Sequence, residues 1–229
     1  MEMVMDKEIS LNSKDRETLY SFLKIVFDKP LATETLQLWK ENFSPEFIEV
    51  LTEGNKDLQD FFTDLKRNDL HSIQQREREV YLATFNIFNE AGNIPAPPWE
   101  SVYVTKDQSL FGDNVFQLRE KLHQFGLQYK DENLDPEDHI SVQLEFMSYL
   151  INYTGNAFEA RNENDFANGI IHQYWLLSNH LMQWVRPFTT DIISSTTSSL
   201  YRGSAKLLLN FIVEEYEYMK DLKEVLENE

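Results

Sequence analysis

Apolar residues recur along this chain at helical spacing. Leu19, Phe22, Leu23, Val26 and Phe27 form an i, i+3, i+4, i+7, i+8 stripe. Leu58, Phe61, Phe62 and Leu65 repeat it, and Tyr81, Phe85 and Phe88 repeat it again. Further on, Ile140, Leu144, Met147 and Ile151 share one helical face. Phe166, Ile170, Leu177, Leu181 and Trp184 follow, and the last long segment carries Leu208, Phe211, Ile212, Met219, Leu222 and Leu226. No run alternates with period two for long. Ser101-Val102-Tyr103-Val104-Thr105 is the one strand-like stretch, and it is short. The pattern predicts an all-α fold, a helical bundle of about ten helices.

Helix starts are legible in the same way. Ser44-Pro45 places an N-cap before a first-turn proline. Ser72 with Gln75 has capping-box spacing. Asp135-Pro136-Glu137-Asp138 reads as a cap, a first-turn proline and two acids at the positive end of a helix dipole. Residues 92–99 hold Gly92 and three of the seven prolines, so the helix begun near Ser72 is expected to stop there. Residues 126–137 are polar and interrupted. The expectation is an N-terminal helical half over 1–125, a hinge over 126–139 and a C-terminal half over 140–229. The run Ser194–Ser199 reads as a solvated helix end or loop.

Composition sharpens this picture. Hydrophobic residues make up 41% of the 229, which is enough for a sizeable core and against disorder. Cysteine is absent, which excludes disulfides, thiolate zinc sites and cysteine nucleophiles. The net charge of −18 repels phosphate backbones and attracts basic ligands, so nucleic acid is not an expected partner. The same charge also serves simple solubility. The opening residues from Met1 to Glu8 contain no apolar secretory core, and no stretch reaches the ~20 apolar residues of a membrane span. The expectation is a soluble, cytoplasmic protein.

Catalytic signatures are missing. There is no phosphate-cradling glycine loop, no Gly-x-Ser-x-Gly elbow and no His-Glu-x-x-His. His172 and His180 lie two helical turns apart, where a paired metal site wants one. The acidic stretch Asp131-Glu132 through Glu137-Asp138 lacks the ligand alternation and glycine of a calcium loop. No cofactor or metal is expected, and a binding protein ranks above an enzyme.

Two segments carry residues that packing alone explains poorly. Pro97-Pro98-Trp99-Glu100-Ser101-Val102-Tyr103 combines a proline-extended backbone with two aromatics, an acid and a hydroxyl. It reads either as a loop plugged into the core or as a groove wall for a peptide with apolar and arginine character. Asp138-His139 reads either as a cap beside a half-buried histidine or as an acid and imidazole offered to a peptide.

These segments, with Leu110-Phe111-Gly112-Asp113 between them, resemble the TorD/DmsD/NarJ family of molybdoenzyme maturation chaperones, nearest its DmsD branch. Leu144-Glu145-Phe146-Met147, His180-Leu181-Met182-Gln183-Trp184 and Leu200-Tyr201-Arg202-Gly203-Ser204-Ala205 continue the likeness in order, from about residue 75 to residue 212. The resemblance implies a non-enzymatic chaperone. It would bind the twin-arginine leader of a molybdoenzyme precursor of the DMSO/TMAO reductase type until cofactor insertion and export. By likeness, Ile87, Phe88, Trp99, Ser101 and Tyr103 would line the leader groove. Gly112 would permit a close backbone approach, and Asp138 and His139 would sit at the junction of the halves. Thr84 and Glu100 depart from the family pattern, and Glu100 would add an acidic contact to an arginine. Further implied partners are molybdenum-cofactor insertion proteins, and the state is monomer or domain-swapped dimer. Two alternatives stand beside this: a NarJ-type chaperone for the mature part of a non-exported molybdoenzyme, and a small all-α nucleotide-binding protein that takes GTP.

Overall fold

The computed structural model describes residues 2–106, 110, 112–130, 132 and 135–227, with side chains described from residue 14 onward. Phe111 and Asp131, part of two motifs noted above, lie outside the described residues, as do parts of the expected hinge.

The fold is all-α, as the periodicity predicts. In order come α1 (Glu2–Asp28), α2 (Thr33–Asn42), α3 (Pro45–Thr52), α4 (Lys56–Arg67) and α5 (Leu70–Tyr81). A π-helical turn, Leu82–Asn86, extends α5. Then follow α6 (Glu100–Val104), α7 (Asp113–Gln124), α8 (Ile140–Glu159) and α9 (Glu163–Leu176), which runs through a second π turn (Leu177–Leu181) into α10 (Met182–Ser195). α11 (Ser199–Glu227) closes the chain. Among the described residues there is no strand, only an isolated antiparallel bridge between Trp99 and His139.

Several local expectations need correction. Ser101–Thr105 is not strand-like but lies in and just after α6. A lone five-residue strand would leave its backbone groups unpaired, whereas a helical turn closes its own. The Ser44 cap is as expected, with Oγ accepting from the Phe47 N–H. α5 starts earlier than the Ser72 signal suggests. Its cap is Asp69, whose carboxylate accepts from both the N–H and the hydroxyl of Ser72 at 2.9 and 3.0 Å. α8 starts later than Pro136, because Glu137 and Asp138 turn inward to other partners and leave His139 as the cap. The helix begun by α5 ends at Asn86, before the proline-rich stretch. Beyond it Ile87 is extended, so Phe88 leaves the stripe of Tyr81 and Phe85 and stands 67% exposed.

The chain forms two compact units. The first contains Met1–Lys24, Trp99–Trp184 and Ile212–Glu229, and the second Ile25–Pro98 and Val185–Phe211. They interleave along the chain, where the sequence suggested contiguous halves either side of a hinge. The physical reason is that α1, α10 and α11 each supply residues to both.

In the second unit, Phe27, Tyr81, Phe85, Phe188 and Tyr201 meet edge to face or tilted at 5.0–6.3 Å. Leu58, Phe61, Phe62 and Leu65 of α4 are buried, each contributing about 1.5–3 kcal/mol through removal from water. Gly203 lets α11 approach α4, since a Cβ there would meet the Leu58 backbone nitrogen at 2.8 Å. In the first unit α8 and α9 pack closely at Gly169, where a Cβ would collide with Thr154. A buried network ties α1 and α9 to α11. Arg16 donates to both Glu215 carboxylate oxygens (Nε at 2.7 and 2.9 Å, Nη2 at 2.7 Å) and to Gln173 Oε1 at 2.7 Å, and the Tyr20 hydroxyl donates to Glu215 at 3.0 Å.

Candidate functional site

Six of the predicted positions and Glu100 lie together in the first unit, around the N-terminus of α6. Trp99 is the extended N-cap of α6 but makes no side-chain cap bond. The missing cap comes from elsewhere. Asp138 Oδ2 accepts from the Ser101 backbone N–H at 2.6 Å, from the Ser101 hydroxyl, and from Asn114 Nδ2 at 2.9 Å. The Asp138 carbonyl also accepts from the Glu100 N–H at 3.2 Å. One residue thus satisfies two of the orphan donors that a helix N-terminus leaves.

His139 works in the opposite direction. Its Nδ1 accepts from the Ser141 N–H at 3.1 Å and lies 2.8 Å from the Ser141 hydroxyl, which caps α8. Its ring meets Trp99 edge to face at 5.4 Å. The Trp99 indole N–H donates to Asp135 at 3.1 Å, and the Tyr129 hydroxyl donates to the other oxygen of the same carboxylate. Asp135, read from sequence as a helix cap, instead anchors the indole.

Gly112 begins α7. A Cβ there would come within 2.7 Å of Asn114 Oδ1 and 2.9 Å of Thr105 Cγ2. The close approach that glycine permits is therefore between α6 and the start of α7.

Glu100 is buried, not an exposed acid. Its carboxylate accepts from Gln143 Nε2 at 2.8 Å and pairs with His180 Nδ1 at 2.9 Å. Gln143 also donates to the Asp138 carbonyl at 3.0 Å, and the Trp184 indole reaches Gln143 Oε1 at 3.5 Å. The Tyr103 ring lies 5.6 Å from that of Trp184. Glu137, equally buried, receives a bidentate Arg119 at 2.6 and 3.0 Å.

Burial pushes the Asp138 carboxyl above its ordinary pKa; hydrogen bonds from Ser101 and Asn114 oppose the rise, and nearby Glu100 adds to it. Asp138 Oδ1 is buried with no hydrogen-bond partner among the described residues.

Sequence reasoning missed Gln143, His180 and Asn114. The available signal was a polar residue at a core-facing helical position, as with Gln143 between Ile140 and Met147. Ile87 and Phe88 belong to the second unit, 54% and 67% exposed. The segment after them is pinned by Ala96 N–H donating to the carbonyl of Thr84, itself a buried residue. Among the described residues no cluster of histidines and acids could hold a metal, and no helix is long and apolar enough to cross a membrane.

A family model described as nitrate reductase delta subunit matches residues 45–190. The chain belongs to this family, the TorD/DmsD/NarJ group. It is similar to the chaperone protein TorD of Vibrio vulnificus, 25% identical over 94% of this chain and 99% of that protein. TorD of Vibrio cholerae is 24% identical over 95% and 98%. The probable Tat proofreading chaperone DmsD of Haemophilus influenzae is 27% identical over 60% of this chain and 59% of its own length. A solved structure of a putative redox enzyme maturation protein from Archaeoglobus fulgidus covers 90% of this chain and 93% of its own at TM-score 0.44 and 20% identity.

As a member of the delta subunit family, the chain is a redox-enzyme maturation chaperone and not an enzyme. The Asp138, Glu100 and His180 cluster ties α6 to α7, to α8 and to the second π turn. Its two carboxylates are buried, Glu100 held by Gln143 and His180, and Asp138 held through Oδ2 by Ser101 and Asn114.

Proposed function

We propose that this chaperone binds the twin-arginine leader of a molybdoenzyme precursor in the cytoplasm and holds it until cofactor insertion and export. The observation that carries the reading is the exposed pair Ile87 and Phe88. Two large apolar side chains, consecutive in sequence, stand in water on a backbone fixed by hydrogen bonds from Ile87 N–H to Leu82 and from Ala96 N–H to Thr84. Such a pair suits the apolar run of a leader. The charge of −18 suits its arginines and speeds encounter. In the first unit, Trp99 and Tyr103 are the contact positions of the α6 segment. Ser101, Gly112, Asp138 and His139 hold that segment in place. The DmsD relative, named as a proofreading chaperone of the Tat system, supports the same reading. Molybdenum-cofactor insertion proteins are the further partners it implies.

Titration calorimetry of the full chain with the leader peptide of a neighbouring molybdoenzyme tests it. The expected result is saturable 1:1 binding that weakens as salt rises and that falls about tenfold or more in Phe88→Ala. A folded chain that ignores the leader at low salt overturns the reading.

The match to the nitrate reductase delta subunit model favours one other reading, recognition of the mature catalytic subunit. Binding to apoenzyme that lacks its leader, with no binding to the leader alone, would establish it instead.

A further inference from the structure

In the first unit, Tyr174 of α9 and Tyr216 of α11 stack on one another. Their ring centroids lie 5.6 Å apart with planes at 25°, and their hydroxyl oxygens lie 3.5 Å apart. Both side chains are half-buried, so solvent reaches each of them. Neither residue belongs to the positions assigned above to leader binding, and the inference does not rest on that assignment.

A contact of 3.5 Å between two hydroxyls is too long for a strong hydrogen bond. What the geometry brings together is the ring carbons. Each ortho carbon is one bond from the carbon that bears the hydroxyl, so near-parallel rings with their oxygens this close hold their ortho positions side by side. Those are the carbons that carry unpaired spin once a phenol has lost an electron and its hydroxyl proton. Tyr81 and Tyr201 show the contrast. Their centroids are 6.0 Å apart, but the planes cross at 60° and both rings are buried. Their hydroxyls donate to the carbonyls of Phe27 and Glu77 at 3.1 and 3.3 Å. The chain has no cysteine, so no thiol within it competes for an oxidant.

We propose that Tyr174 and Tyr216 form an oxidative modification site, at which a one-electron oxidant joins the two rings as dityrosine. Each phenol gives one electron to the oxidant and its hydroxyl proton to water. The two phenoxyl radicals couple through their ortho carbons, forming one C–C bond. The hydrogen on each coupled carbon then moves to its own ring's oxygen and restores the phenol. The net change is the loss of two hydrogen atoms, as two protons to water and two electrons to two equivalents of oxidant. The link ties α9 to α11 and closes a loop over residues 174–216, which contains α10 and the Val185–Phe211 segment. Closing a long loop restricts the unfolded chain, so the linked protein is the more stable form.

The test exposes the full chain, dilute enough to limit contact between molecules, to light-generated ruthenium(III) tris-bipyridine. This one-electron oxidant is cationic, and the charge of −18 attracts it. The expected product is a monomer lighter by two hydrogen atoms, with dityrosine fluorescence, in which tandem mass spectrometry finds the Tyr174 peptide joined to the Tyr216 peptide. Tyr174→Phe and Tyr216→Phe should each lose this linked monomer. If either variant does not fold, the peptide map of the wild type still decides. No intramolecular link under conditions that dimerise free tyrosine overturns the proposal. So does a link between other tyrosines alone, or one that survives in Tyr174→Phe. The linked monomer should melt at a higher temperature than the untreated chain, and an equal melting temperature overturns the stabilising role.

Discussion

Asp138 caps the N-terminus of a helix to which it does not belong, accepting from the Ser101 backbone N–H at 2.6 Å across 37 residues of sequence. It also takes the Ser101 hydroxyl and the Asn114 amide, so three donors on two elements converge on one buried oxygen. Asp138→Ala should cost on the order of 2–4 kcal/mol, because it leaves buried donors unpaired. Urea unfolding would measure this, and an unchanged midpoint would rule out the capping role.

The same residue makes a pH prediction. Burial raises the Asp138 pKa on folding, so between its unfolded and folded values the native state holds the extra proton. Its contribution to stability is therefore larger below that window and is lost as pH rises through it. Relative to Asp138→Asn, which does not titrate there, the wild type should gain stability between about pH 7 and about pH 4. The opposite trend would contradict the raised pKa.

Glu100 and His180 should behave as one unit. Removing Glu100 leaves the buried His180 Nδ1 without its partner, and removing His180 leaves the buried Glu100 carboxylate with Gln143 alone, so each single substitution, Glu100→Ala or His180→Ala, should be destabilising, the first more so. A double-mutant cycle should return a coupling of about 0.5–3 kcal/mol. Strict additivity would show that the 2.9 Å contact contributes nothing.

Two glycines differ in what blocks a side chain. At Gly203 the obstacle includes the Leu58 backbone nitrogen, which cannot swing away, whereas at Gly112 it is the ends of the Asn114 and Thr105 side chains. Gly203→Ala should reach the upper part of the overpacking range of about 1–3 kcal/mol, and Gly112→Ala the lower part. Thr105→Ser removes the obstructing methyl and should partly rescue Gly112→Ala. Thermal melts of the four proteins would check this ordering.

Glu215→Ala should cost about 3–5 kcal/mol by stranding the buried Arg16 guanidinium. Phe88→Ala, at an exposed position, should stay within about 0.5 kcal/mol of wild type. That contrast makes Phe88 the cleaner probe of binding, since its effect on a ligand would not pass through stability.

The sequence by itself determined the helical class and most of the core, because helical periodicity is a local property. Leu58, Phe61, Phe62, Leu65, Ile140, Leu144, Met147 and Ile151 are all buried as their spacing implies. It also marked the two segments that meet around α6, through residue types that packing alone explains poorly. Only the tertiary structure decided what those residues do. Asp138 looks like a local helix cap, yet its partners lie on α6 and α7. Glu100 looks like a surface acid, yet it faces Gln143 and His180 from across the unit. The strand-like Ser101–Thr105 becomes helical because a distant carboxylate satisfies its first turn. The two compact units interleave because three helices contribute to both, a fact of long-range packing that no window of adjacent residues contains. Periodicity tells a side chain whether it points inward; which partner waits there depends on parts of the chain far away in sequence.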